Sequence, residues 1–231
     1  MFGRFGSALC LIPLIASTLL ADDPASLPKV VLVGDSIRLS YAPIVAEQLA
    51  GKAVVIGSKA NGGDSSNVLK HLDEWVIREK PDIVHFNCGI HDTKRFTATG
   101  KFQISPEQYE ANLREIVKRI RNQTDAVVLF ATSTPIVDHL AAAARQGRDY
   151  ELLEASIRQY NTIAVRVMKE LSVEVNDLHA VIATPAAPHT SGDFIVLDGV
   201  HLTELGKELV GATVARFVHD RGMASSSAKN P

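Results

Sequence analysis

Val30-Val31-Leu32-Val33-Gly34-Asp35-Ser36 is the stretch on which the fold turns, an unbroken apolar and mostly β-branched run that stops at Gly-Asp-Ser. Bounded by Pro28-Lys29 and by a glycine, such a run suits a short strand buried on both faces, as in a parallel sheet covered by helices. Ser36 then stands at a strand's carboxyl end, the edge of an open α/β sheet where ligands bind. The segment from Tyr41 to Ala50 reads as the following helix, whose upstream amides can face a reacting group. Gly, Asp and Ser are also ordinary turn residues, so the tripeptide needs partners elsewhere in the chain before it means chemistry.

The same alternation recurs along the sequence. Ala53–Gly57, Asp82–Cys88, Ala126–Ala131 and Val173–Leu178 read as further strands. Between them lie helical stripes: Val68, Leu69, Leu72, Trp75 and Val76 before Pro81, then Tyr109, Leu113, Ile116, Val117 and Ile120 behind a Ser105-Pro106 start. Asp149 to Leu171 reads as a long helix, and Thr203 as the cap of a last one whose inward face is Leu205, Leu209, Val210, Val214, Phe217 and Val218. Thr93–Ile104, with Lys94, Arg95, Phe96, Lys101 and Phe102, is a loop that either flanks a substrate or is a solvated connection. Pro135–Arg148 fits a short helix or part of a lid. Strands alternating with helices, without a repeat or a dividing linker, make one doubly wound α/β domain over residues 22–221.

The ends read differently. Arg4, the apolar stretch Ala8–Leu20 interrupted by Pro13, and Ala21 before Asp22-Asp23-Pro24 make residues 1–21 a signal peptide, too short in its apolar part for the roughly 20 residues that span a bilayer. Export to the periplasm or medium is the expectation, with no stable membrane insertion once the signal is removed. The tail from Gly222 to Pro231, with its run of serines, is expected to be disordered. A formal net charge of −2 leaves no electrostatic footprint for nucleic acid or an anionic membrane. Outside the signal Cys88 is the only cysteine, a small core residue in an apolar strand rather than a disulfide partner. The sequence does not specify an oligomeric state.

Asp198 and His201 stand three residues apart just ahead of the last helix. A hydroxyl is a poor nucleophile near neutral pH, so Ser36 needs a base, and that base needs a group to fix its tautomer and stabilise its protonated form. His201 can serve as the base and Asp198 as its orienter; the alternative is a solvent-facing histidine and a plain turn aspartate. His85 reads as a satisfied core or supporting histidine. His91, Asp92, Asp198 and His201 include metal-ligand types, but without a His-x-x-x-His or Cys cluster neither metal nor cofactor is expected.

Together, Gly34-Asp35-Ser36, Asn61-Gly62-Gly63-Asp64-Ser65-Ser66, Gly89-Ile90-His91-Asp92 and Asp198-Gly199-Val200-His201 resemble, in order and spacing, the blocks of the SGNH (GDSL-type) hydrolases. The resemblance spans nearly all of the chain beyond the signal. It implies a three-layer α/β/α sandwich with a flavodoxin-like five-stranded parallel sheet, and ester hydrolysis through an acyl-enzyme. It further implies Ser36 as nucleophile with Asp198 and His201, and an oxyanion hole from the Ser36 and Gly63 N–H groups. Gly62 is the alternative in the second block, and Asp35 becomes a brace for the nucleophile turn. The third block departs from the family's Gly-x-Asn-Asp, because His91 stands where the asparagine would donate to the oxyanion. A neutral imidazole N–H can replace it, with nearby Asn87 as the alternative donor and Asp92 as support. The expected activity is that of an exported serine esterase for short-acyl substrates, such as small-molecule esters or acetylated glycans. Two other functions share these residues: acyl transfer onto a glycan, and a non-catalytic carbohydrate-binding module that keeps the fold.

Overall fold

The computed structural model describes residues 27–225, so the expected signal peptide and residues 226–231 lie outside the described residues. In chain order the elements are β1 Lys29–Val33, α1 Ser36–Gln48, β2 Val54–Ile56, α2 Ser65–Lys70, α3 Leu72–Trp75, β3 Ile83–Phe86, β4 Arg95–Phe96, α4 Pro106–Gln123 and β5 Val127–Ala131. They continue as α5 Asp138–Ala144, β6 Tyr150–Glu151, α6 Glu154–Glu170, β7 Glu174–Asn176, α7 Leu178–Ala183 and α8 Glu204–Phe217. The main sheet has five parallel strands in the order β2-β1-β3-β5-β7, the flavodoxin-like doubly wound order. Strand order reverses between β1 and β3, which puts the crevice for a ligand beside the end of β1, where Ser36 lies.

Period-two alternation divides the strand residues between two cores. Val30 and Leu32 pack with Tyr41, Val45, Val210 and Val214 under α1 and α8, while Val31 and Val33 pack with Leu72, Leu113, Ile116, Tyr160 and Val167 under α2, α3, α4 and α6. These are the two outer layers of an α/β/α sandwich, and they explain why β1 carries no polar residue after Lys29.

Several elements differ from their sequence reading. α1 starts at Ser36 rather than Tyr41, because the Asp35 side chain accepts the Ile37 N–H at 3.0 Å and caps the helix there. The helix expected over Val68–Val76 is broken at His71 into α2 and α3, and the long helix after Asp149 begins only at Glu154, since Tyr150–Glu151 pairs antiparallel with Arg95–Phe96. Leu205 is 43% exposed; Gly206, Gly211 and Ala215 join Val210, Val214 and Val218 on the inward face of α8, where small residues let α8 lie close to α1. Of the expected disordered tail, residues 222–225 are helical instead: the chain continues from α8 through a π-helical segment, Val218–Met223, with Gly222 buried against Ile83, and the rest of that stretch lies outside the described residues. Among the described residues no helix is long and apolar enough to cross a membrane.

His85 is fully buried in β3, edge-on to Phe217, and neither ring nitrogen has a hydrogen-bond partner. It is therefore not a satisfied core histidine. Burial lowers its pKa to about 4. The unfolded chain takes up this proton near pH 6.5 and the folded chain only near 4, so stability is intact above that window and falls as pH drops through it. The contribution is on the order of 3 kcal/mol across the window. In His85→Leu this fall should be absent, so its urea midpoint should rise relative to wild type as pH drops from 6.5 to 4; parallel pH profiles for the two proteins would refute this.

Candidate active site

Ser36 occupies the first position of α1, directly after the cap, where a backbone N–H has no intrahelical acceptor and faces outward along the helix dipole. Its Oγ lies 3.0 Å from His201 Nε2, and His201 Nδ1 lies 2.5 Å from Asp198 Oδ2. The other Asp198 oxygen accepts the backbone N–H groups of Val200 and His201 at 2.8 and 2.9 Å. Burial alone would raise the Asp198 pKa, but these bonds and the one to the imidazole outweigh it and hold the carboxyl below its ordinary value. A carboxylate so held stays ionised beside an imidazolium, as general-base catalysis requires.

The turn bearing these two residues is braced from below. Val137 N–H donates to Gly199 O at 2.9 Å, and Arg145 Nη1 donates to Asp198 O at 2.9 Å. The segment left open between short helix and lid is thus a short helix, α5, buttressing the Asp198–His201 turn.

The loop after β2 sits over the nucleophile turn. Gly62 N–H donates to Gly34 O at 3.0 Å, and a Cβ on Gly62 would stand 2.6 Å from that oxygen, so only glycine permits the approach. That contact commits the Gly62 N–H to the nucleophile turn, whereas the Gly63 N–H bonds only to a side chain of its own loop. Gly63 takes φ +62°, and Asn67 Nδ2 holds the Gly62 carbonyl at 2.8 Å, which turns the Gly63 N–H to the opposite side of the planar peptide. There it donates to Asn61 Oδ1 at 2.9 Å.

The third block separates its candidates. Asn87 is buried and its amide donates to Ala131 O at 2.9 Å, tying β3 to β5 at the sheet edge. Asp92 is fully buried and accepts from the Ser65 N–H and hydroxyl, joining the second and third blocks. Asn112 of α4 donates to the same Ser65 hydroxyl at 2.8 Å. Burial pushes the Asp92 carboxyl up to about 7, against the pull of the Ser65 bonds. His91, with 26% of its side chain exposed, has Nε2 4.0 Å from Asp35 Oδ2, an oxygen that is buried and without a hydrogen-bond partner. Burial holds His91 below its ordinary pKa, only partly opposed by the Asp35 carboxyl, and burial likewise raises Asp35. A neutral imidazole beside the nucleophile turn results.

Sequence reasoning missed Ser65, Asn112 and Asn67, whose partners are distant or whose type is common in loops; an Asp-Ser-Ser run before a helix was the available signal. Lys94 and Phe102 of the 93–104 loop pack on Tyr150 and Tyr160, with Lys94 Nζ 5.2 Å from the Tyr150 ring centre. Cys88 is buried, and burial raises its thiol pKa, so it is no nucleophile. Among the described residues no cluster of three or more His, Cys, Asp or Glu is arranged to hold a metal ion.

With this geometry in place, comparison with known proteins is informative. Residues 32–209 match the GDSL-like Lipase/Acylhydrolase family. A rat (Rattus norvegicus) relative, isoamyl acetate-hydrolyzing esterase 1 homolog, is 24% identical over 201 residues, covering 79% of this chain and 78% of the relative. The crystal structure of a lipase/acylhydrolase from Enterococcus faecalis superposes with a TM-score of 0.69 at 23% identity, over 85% of this chain and 97% of that one. Axe2, an acetylxylan esterase from Geobacillus stearothermophilus, gives 0.66 at 19% identity, over 82% and 93%.

Proposed function

The chain belongs to the GDSL-like lipase/acylhydrolase family, a family of serine ester hydrolases, and we propose that it is an exported esterase cleaving short-acyl esters through an acyl-enzyme on Ser36. The observation that carries this reading is the continuous path Ser36 Oγ to His201 Nε2, 3.0 Å, and His201 Nδ1 to Asp198 Oδ2, 2.5 Å. His201 takes the Ser36 proton as Oγ attacks the acyl carbonyl. The tetrahedral oxyanion is held by the N–H groups of Ser36 and Gly63 and by His91, the substrate oxygen replacing Asn61 Oδ1 on the Gly63 N–H. Collapse expels the alcohol, which receives its proton from His201. Water, deprotonated by His201, then attacks the ester carbonyl of the acyl-enzyme and releases the acid and free Ser36.

A short acyl group is supported by the relatives, which are named for isoamyl acetate and acetyl xylan, and the latter supports an acetylated glycan as the alcohol part. Export is supported by the Arg4 and Ala8–Leu20 pattern ahead of Ala21. The His201 side chain is 45% exposed, so water can reach the acyl-enzyme for hydrolysis.

The test is a series of 4-nitrophenyl esters from acetyl to octanoyl beside acetylated xylo-oligosaccharides, with product analysis. The expected result is highest kcat/KM for acetyl, and free acetate as the product. An apolar acyl pocket can give a factor of about 10 to 200 per added methylene; a site for short acyl groups should gain nothing. Preference for octanoyl would refute the short-acyl reading; acetyl appearing on an added sugar acceptor would make the protein a transferase.

A further inference from the structure

Arg38 is 3% exposed, yet no carboxylate lies within ion-pair distance of its guanidinium among the described residues. A buried charge without a counter-ion is costly unless it is well hydrogen-bonded, so where its N–H groups go shows what it does. Nη1 donates to Ser58 O at 2.8 Å, and Nη2 donates to Ala60 O at 3.0 Å and to Gly34 O at 3.2 Å. Every acceptor is a backbone carbonyl. Gly34 belongs to the turn that carries Ser36; Ser58 and Ala60 belong to the loop that carries Gly62 and Gly63. Gly34 O is shared, accepting both Arg38 Nη2 and Gly62 N–H at 3.0 Å.

We propose that Arg38 is the positioning residue of the oxyanion site, a buried guanidinium that clamps the loop after β2 onto the nucleophile turn. This rests on the reading of Ser36 and Gly63 as oxyanion donors. Those two N–H groups come from segments 27 residues apart in sequence, 36 to 63, and both must point at one oxygen. Local hydrogen bonds orient each one separately: the start of α1 sets the Ser36 amide and Asn67 sets the Gly63 peptide. Among the described residues, the hydrogen bonds that join the two segments directly at this point are the Gly62–Gly34 bond and the Arg38 fork. The planar fork suits that task because one rigid group reaches acceptors in several directions; a lysine ammonium is a single point on a flexible stem. A donor displaced by about 1 Å can cost about 10²-fold in rate while leaving ground-state binding almost intact.

The test uses Arg38→Met and Arg38→Lys of the full chain, with kinetics on 4-nitrophenyl acetate, thermal melting, and amide exchange of the peptide spanning 57–64. Arg38→Met is expected to lose about 10²-fold in kcat with KM within about threefold, and to exchange faster across 57–64, as its loop is released. Arg38→Lys should recover part of both. A merely structural role would lower the melting temperature and leave kcat unchanged below it. A folded Arg38→Met with wild-type kcat or wild-type exchange overturns the proposal. If Arg38→Met does not fold, Arg38→Lys decides, and wild-type kcat in that variant overturns it equally. The exchange measurement does not depend on turnover, so a wild-type protein that hydrolyses no ester refutes the reading of the site, whereas unchanged exchange refutes the clamp.

Discussion

Ser36→Ala should lose about 10⁴-fold or more in kcat toward 4-nitrophenyl acetate, the largest effect of any single substitution in this chain. Removing Oγ removes the atom positioned to accept the acyl group, at 3.0 Å from the imidazole that would deprotonate it. What remains is water activated by His201 together with whatever oxyanion stabilisation survives, which in triad enzymes still exceeds the uncatalysed rate by about 10³ to 10⁴. KM should change little, because Oγ makes its contribution in the transition state. The variant should also fail to take up a fluorophosphonate probe, and mass spectrometry of the wild-type adduct should place the added mass on the peptide containing Ser36. Retention of activity within tenfold, in a preparation free of host esterases, would end the serine mechanism.

His91→Ala should lose about 10²-fold in kcat, the loss expected when one oxyanion donor is removed, with KM nearly unchanged. Asn87 should not compensate, since it is buried and its amide donates to Ala131 O at 2.9 Å. His91→Asn restores the amide usual for the family and should keep activity within about tenfold of wild type. The imidazole also introduces a pH dependence that asparagine lacks. The charged and titratable groups acting on His91 are Asp35, Lys94, Asp64 and His201, and burial dominates them, holding it neutral below the ordinary imidazole range. On acidification a protonated ring is drawn toward the orphaned Asp35 Oδ2, 4.0 Å away, and turns from the substrate oxygen. Activity of the wild type should therefore fall more steeply at acid pH than that of His91→Asn. Identical acid limbs, or His91→Ala within twofold of wild type, would remove His91 from the oxyanion site.

Much of this was legible before any tertiary structure. β1, the Ser105 and Thr203 caps and the inward stripe of α4 depend on residues within a turn or two of one another, so pattern alone reveals them. Other features were hidden for identifiable reasons. Polar Ser36, Arg38 and Ser40 disguise the first turns of α1, although Asp35 caps it at Ser36. Arg38 reads as an exposed helix residue until the carbonyls of Ser58 and Ala60 close around it. The Ser65–Asp92–Asn112 network joins groups 27 and 47 residues apart that carry no common motif. His85 has the alternation of a buried strand residue, but its want of any partner follows only from how Phe217 packs against it.

By itself the sequence determined that strands end in polar turns on one edge of a parallel sheet, and that Ser36, Asp198 and His201 are the residues to watch. Hydrophobic period, caps and turn chemistry are local, and they act on whatever lies nearby in the chain. Tertiary structure alone decided the rest. Packing of α1 against α8 and the reversal of strand order between β1 and β3 bring Ser36 within 3.0 Å of a histidine 165 residues away. The same packing turned the Asn87 amide away into the sheet and left His91 at the rim beside Asp35. Such distances depend on long-range pairing, for which spacing in sequence carries no measure.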